Sequence, residues 1–299
     1  METNFVQHAV NVAYDQAVAT YGKKQVIGAF VYGSQNYGLA DEKSDVDVKV
    51  LLLPSATDIY MNAKPVSKEG EFQLPTVGNA GEWSPVCPAE EACGSTYGKI
   101  VYKDVRLWQG EILKGNPNAF ELLFAHSYRY NNLYKKELTE LFKNKEKISK
   151  INPAETARIC AGMAKYISVR LFKSEKCLDL KQFVNIYRLA WFLRLYLLND
   201  EEATTERAFT AAGTPKNVRL RRLTTIVEEN DPDVLEAMRM IGEMKECAES
   251  ATDLRYSKQY EHLFTSQAWE MVNKGYLMTI PVNFPAPEDT NITTSKIIF

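Results

Sequence analysis

The sequence predicts an α+β fold: a mixed sheet with flanking helices in the first half of the chain, then an all-helical second half. Two observations carry this. Between residues 26 and 104, apolar runs of strand length (QVIGAFVYGS, DVDVKVLLL, KIVYKDV) are set off by glycine, proline and polar stretches. From about residue 135 onward, apolar residues recur at helical spacing almost throughout.

Taken in order, residues 4–21 place Phe5, Val6, Ala9, Val10, Ala13, Ala17 and Val18 on one helical face, an amphipathic first helix. QVIGAFVYGS reads as a buried strand ending in a turn at Gly33-Ser34. The polar stretch QNYGLADEKS follows, where Gly38 suits an unusual backbone angle. In DVDVKVLLL, Asp45, Asp47 and Lys49 alternate with valines, so both aspartates project from one strand face. Pro54 ends that strand, and residues 54–98 read as a long insertion or lid with little regular structure. KIVYKDVRLWQGEILKG is a strand running into a helix. Asn116 before Pro117 is a helix cap, and the NPAETAR, LDLKQF, NVRLRR and DPDVLE segments open further helical stretches. The expected division is 1–140, 141–262 (helical) and 263–299 (a helix end and an extended tail).

The chain has 299 residues, 45% hydrophobic and 25% charged, ordinary for a globular protein with a sizeable core. A net charge of −2 argues against general coating of nucleic acid but leaves a local basic groove open. The N-terminal METNFVQHAVNVAYDQ has no basic leader followed by an unbroken apolar run, so no signal peptide is expected. No run approaches the ~18 apolar residues of a membrane span. Five cysteines, Cys87, Cys93, Cys160, Cys177 and Cys247, are scattered without a CxxC pair, which suits reduced thiols and a cytoplasmic location. Cys87 and Cys93 have no nearby His or Cys to complete a zinc site.

Two carboxylates one residue apart on a strand face gain nothing from burial but suit hard cations. Mg²⁺ (or Mn²⁺) prefers oxygen ligands and shares its shell with substrate phosphates, and a pair of such ions can clamp an in-line phosphoryl displacement. Gly33 lets backbone amides approach a phosphate, Ser34 adds a hydroxyl donor, and a following helix N-terminus would favour negative charge. A third carboxylate is usual in such sites. Asp104, ending a neighbouring strand, is the expected one, with a helix N-cap as its alternative role. Lys181 and Arg188, two helical turns apart and hence on one face, suit a triphosphate or an RNA backbone; the alternative is snorkelling from an apolar helix. Capping chemistry explains Gly115, Asn116 and Pro117. Glu121 reads equally as a substrate contact or as a helix-dipole residue. The RLRR run (Arg219, Arg221, Arg222) reads as a solvated basic face before it reads as a nucleic-acid contact. His8 and His126 read as structural.

Gly33-Ser34, the ten-residue spacer QNYGLADEKS ending in Ser44, and Asp45-Val46-Asp47 on the next strand resemble the signature of the DNA polymerase β-like nucleotidyltransferase superfamily. A closer resemblance, covering about residues 28–190, is to the predicted nucleotidyltransferases of the YcgL/RlaP type of bacteria and phages. It is carried by GSQNYGL…SDVDVK, by Asp104, Arg106, Lys114, Gly115, Asn116, Pro117 and Glu121, and by Lys181 and Arg188. Leu107 departs from the family's lysine. The resemblance implies a polymerase β-like domain followed by a helical one. It also implies metal-dependent transfer of an NMP from an NTP to an acceptor hydroxyl, with Asp45, Asp47 and Asp104 as catalytic metal ligands. Gly33, Ser34, Lys181 and Arg188 would bind the nucleotide. An RNA 3′ end is the favoured acceptor; a protein hydroxyl (AMPylation) and a small molecule are alternatives. A non-catalytic nucleotide-binding module is the rival from another class.

Overall fold

The computed structural model describes residues 3–40, 44–72, 98–173, 180–197, 205–209, 232–251 and 254–279. The buried run VIGAFVY forms β1 (Val26–Tyr32), in which only Tyr32 is partly open, as expected of a strand covered on both faces. β2 (Asp47–Leu52) pairs antiparallel with it, from Val26 opposite Leu52 to Tyr32 opposite Asp47. The other edge of β1 takes β5 (Tyr128–Tyr130), also antiparallel. β4 (Gly98–Asp104) runs parallel to β2, with Val48 opposite Ile100 and Leu52 opposite Asp104. β3 (Ser67–Phe72) pairs antiparallel with β4, giving a mixed five-stranded sheet of order β3-β4-β2-β1-β5. β4 enters through Gly98, where a Cβ would lie 1.8 Å from the Val46 carbonyl oxygen.

β3 and a short helix α2 (Ala56–Tyr60) occupy the beginning of the stretch expected to have little regular structure. Ser55 and Asp58 close a capping box at the start of α2. SKEGEF buries only Phe72 on the sheet edge, so its sequence shows no alternation to read. Residues 73–97, with Cys87 and Cys93, lie outside the described residues. So do Cys177, Arg219, Arg221, Arg222 and the expected tail from residue 280.

α1 (Thr3–Tyr21) packs across β1, β2 and β5 through Val6, Ala9, Val10, Ala13 and Ala17, the face its periodicity marks. α3 (Val105–Leu113) covers the opposite face. Neighbouring residues of β4 show this: the Tyr102 ring lies 5.1 Å from Tyr21 of α1, while Lys103 pairs with Glu111 of α3. Asn116 caps α4 (Pro117–Phe120), with Pro117 in its first turn, as the sequence predicts. A 3₁₀ turn, Glu121–Phe124, follows directly.

The rest is helical: α5 (Lys135–Lys143), α6 (Lys145–Ser149), α7 (Pro153–Lys173), α8 (Leu180–Leu197), α9 (Thr205–Ala208), α10 (Pro232–Ser250) and α11 (Lys258–Thr279). α7, α8 and α10 pack on one another. α11 returns to α3, α5 and α6, with Phe264 edge-on to Trp108 at 5.3 Å and Gly275 against Leu53. Buried residues of the sheet and of these helices join in one core. No helix among the described residues is long and apolar enough to cross a membrane.

Candidate active site beneath the Gly33-Ser34 turn

β1 ends at Tyr32, and the chain turns at Gly33 with φ +75°, a conformation that side chains disfavour. The Tyr37 amide donates to the Gly33 carbonyl at 3.2 Å and the Leu39 amide to the Ser34 carbonyl at 2.9 Å, and Gly38 takes φ +66° as its sequence suggests. Residues 33–38 are a run of turns, in keeping with the polar stretch read there, and no helix N-terminus follows Ser34 directly. The Gln35 side-chain amide donates to the Ser44 and Asp45 carbonyls, which ties the turn to the start of the aspartate motif.

Asp47 opens β2 opposite Tyr32, and its Oδ2 lies 3.4 Å from where a Cβ on Gly33 would stand. Asp45 precedes the strand and is exposed. Glu121, only 1% exposed, accepts a hydrogen bond from the Gly33 amide at 2.5 Å, and the Tyr37 hydroxyl is hydrogen-bonded to the same side chain. The capped α4 and its 3₁₀ turn deliver that carboxylate, held in place by the Trp108 indole N–H donating to the Ala119 carbonyl at 2.9 Å. Lys49, two residues beyond Asp47, reaches the Asn118 carbonyl at 3.1 Å and lies 4.4 Å over the Tyr32 ring. From α8, the Arg188 guanidinium stacks 4.1 Å over Tyr37. Its buried Nε has no hydrogen-bond partner.

These groups line one cavity of about 300 Å³, at the small end for ligand sites. Gly33, Ser34, Asp47 and Arg188 are thus brought together as the sequence predicts, and Lys49, Glu121, Tyr32 and Tyr37 join them. Asp45 does not line the cavity, so the expectation that both aspartates share the site is met by Asp47 alone: Asp45 lies before the strand begins, and its carbonyl accepts from Gln35 in the turn. Lys181 is in the first turn of α8, and its side chain lies outside the described residues.

Asp104 is not in the site. β4 is parallel to β2, so the C-terminal end of β4 lies beside Leu52, about 16 Å along the strand from Asp47 at 3.3 Å per residue. There Asp104 caps α3: its Oδ1 accepts the Arg106 amide at 2.8 Å, and the Arg106 guanidinium grips both oxygens, with Nη2–Oδ2 at 2.7 Å. The hydrogen bond to Asp104 raises the Arg106 pKa further. The metal-ligand expectation for Asp104 is corrected to a capping role, because the strand direction carries it to the far end of the sheet.

Burial pushes the Tyr37 phenol far above its ordinary pKa, with the Arg188 charge opposing it. Burial also raises Tyr32, and the Asp47 and Glu121 charges add to that. Burial lowers Lys49, while Glu121 is the largest influence holding its proton on. The cavity therefore balances two carboxylates, Asp47 and Glu121, against two cations, Lys49 and Arg188. Among the described residues, no three His, Cys, Asp or Glu side chains gather closely enough to enclose a metal unaided. An oxygen donor set of one or two carboxylates still fits Mg²⁺, whose shell substrate phosphates commonly complete.

Of the lining residues that sequence reasoning gave no role, Lys49 had a signal, since the strand period puts it on the face of Asp47. Tyr37 had none. No family model matches the chain, and no curated protein matches it.

Proposed function

We propose that the protein is a metal-dependent nucleotidyltransferase of the polymerase β-like kind, moving an NMP from an NTP to an acceptor hydroxyl with loss of pyrophosphate. The carrying observation is the convergence of Gly33, Ser34 and Asp47 from the sheet with Arg188 from α8 on one cavity. In this reading the catalytic unit is about residues 1–140 and the helical unit about 141–262, with the site between them. Asp47 and the adjacent Asp45 would hold Mg²⁺ (or Mn²⁺), with Glu121, not Asp104, the nearest further carboxylate. The ion would supply charge neutralisation for the displacement at phosphorus.

The chain's own groups do the rest. The glycine at position 33 lets the backbone turn close against the phosphates, and the Ser34 hydroxyl donates to them. Arg188, its Nε free and its plane fixed on Tyr37, offers a forked contact to phosphate oxygens. Glu121 fixes the turn by holding the Gly33 amide and the Tyr37 hydroxyl, so that positioning and electrostatics carry the catalysis. An RNA 3′ end is the favoured acceptor, on the resemblance to the YcgL/RlaP type. A nucleotide-binding module without transfer is the second reading, and the displacement of Asp104 from the site favours it.

The test is incubation with each α-³²P NTP and Mg²⁺ or Mn²⁺, with RNA, with cell-extract protein, or with neither, beside Asp45→Ala/Asp47→Ala. Label on RNA that disappears in the double variant supports transfer to RNA; label on protein makes AMPylation the activity. NTP binding without label anywhere selects the binding module.

A further inference from the structure

Lys49 is a charged residue in the middle of a buried strand, 7% exposed. A lysine at such a place is costly unless its charge is used, and an apolar residue of the same volume would serve the sheet better. Its surroundings do not use it up. An ammonium has three N–H donors. One goes to the Asn118 carbonyl at 3.1 Å. The Tyr32 ring, 4.4 Å away, attracts the charge with its face but offers no lone pair at that position. Lys49 lines the same cavity as Ser34 and Arg188, so its remaining donor capacity borders the space where the phosphates would lie. The strand period sets it about 6.6 Å from Asp47 on the same face. Glu121, which lines the same cavity, is itself held by the Gly33 amide and the Tyr37 hydroxyl. The ammonium is held at the cavity wall by the Asn118 carbonyl and the Tyr32 ring.

We propose that Lys49 is a phosphate ligand of this site, donating from beneath the Gly33-Ser34 turn to non-bridging oxygens of the nucleotide's phosphate chain. This rests on the nucleotide reading of the cavity. Lys49 and Arg188 then grip the phosphates from opposite walls, one on the sheet and one on α8. The fixed ammonium supplies positive charge that Asp104, remote from the site, cannot recruit through a further metal ion.

The test is calorimetric titration of the full chain with MgATP, tripolyphosphate and adenosine, using wild type, Lys49→Met and Lys49→Arg. Thermal unfolding checks each fold, and Lys49→Gln is a second neutral variant should methionine fail to fold. Lys49→Met is expected to weaken MgATP and tripolyphosphate about 10- to 100-fold, the worth of one hydrogen bond to a charged group. Binding of both is expected to depend less steeply on salt, adenosine affinity to stay unchanged, and Lys49→Arg to recover most of the loss. A folded neutral variant that binds both phosphate ligands as tightly as wild type, with the same salt dependence, overturns the proposal. Wild type that binds neither MgATP nor tripolyphosphate instead overturns the nucleotide reading, and this proposal with it.

Discussion

Glu121 accepts the amide hydrogen of Gly33 at 2.5 Å, although 88 residues separate the two in sequence. One end of this contact is a 3₁₀ turn behind a capped helix; the other is the glycine that follows β1. The contact joins the segment after α3 to the turn that shapes the cavity, and it does so with a buried carboxylate.

Removing that carboxylate leaves the Gly33 amide and the Tyr37 hydroxyl without their shared acceptor and takes a negative charge away from near Lys49. Glu121→Ala is expected to lose about 2–4 kcal/mol of stability, since stranded buried polar groups cost more than a hydrogen bond gains. Glu121→Gln keeps one acceptor and is expected to lose less. Urea denaturation with both midpoint and slope fitted checks the ranking.

The proposed nucleotidyl transfer gives Asp47 and Asp104 separable roles, and the same conservative change separates them. Asp47→Asn is expected to lower nucleotidyl transfer more than about a hundredfold while leaving the fold intact. Asp104→Asn is expected to retain transfer and to lose about 1–3 kcal/mol, because the Arg106 guanidinium and the first turn of α3 lose a charged acceptor. Labelling rates and thermal unfolding of the same two samples decide it. Loss of transfer without loss of stability in the Asp104 variant would return that residue to the chemistry.

Two glycines should respond in opposite directions to alanine. At Gly98 the new methyl would meet the Val46 carbonyl at 1.8 Å and the Phe72 ring at 2.8 Å, between strands that cannot part cheaply. A loss of about 3 kcal/mol or more is expected. At Gly110, inside α3, nothing lies within 4 Å of the new methyl. Alanine there is expected to stabilise by about 0.5–1 kcal/mol through helix propensity. Melting temperatures measured side by side test the pair.

Lys150 gives the protein a signature in alkaline solution. Burial lowers its pKa from 10.5 to about 8, with Glu146 opposing. Between those values the unfolded chain binds a proton that the folded chain has released, so stability rises with pH across that window. Below about pH 8 the full penalty of burying the charge is present; it fades as pH climbs toward 10.5. Lys150→Met is expected to make this upward slope shallower, leaving the part that Lys49 contributes. Stability curves at pH 7, 8, 9 and 10 on both proteins show whether it does.

Much of this was legible in the chain. α1, β1, the strand-to-helix passage at β4 and α3, and the Asn116-Pro117 cap all carry their own local signals, and the structure repeats them. The Gly33-Ser34 and Asp47 motifs fall at neighbouring strand ends for the same reason. What local signals lack is direction. KIVYKD reads as a strand whichever way it runs, and only its parallel pairing with β2 sends Asp104 away from Asp47. Had the pairing been antiparallel, the last residue of β4 would have stood beside the motif. Glu121 was equally ambiguous, since a carboxylate early in a helix suits the dipole wherever it points. β3 was missed because a charged edge strand, with one buried residue, has no pattern of its own.

The seating of Gly275 of α11 against Leu53 has a kinetic side. These residues come from distant parts of the chain, and folds that depend on such pairings reach the native state slowly. Until α11 arrives, Trp108, Leu53 and the apolar face of α3 stay open to solvent. A chain on which α11 has not yet docked would expose that apolar surface, and such exposure favours aggregation. Slower synthesis at low temperature, or a holdase chaperone at hand, should raise the soluble yield more than any change at the cavity.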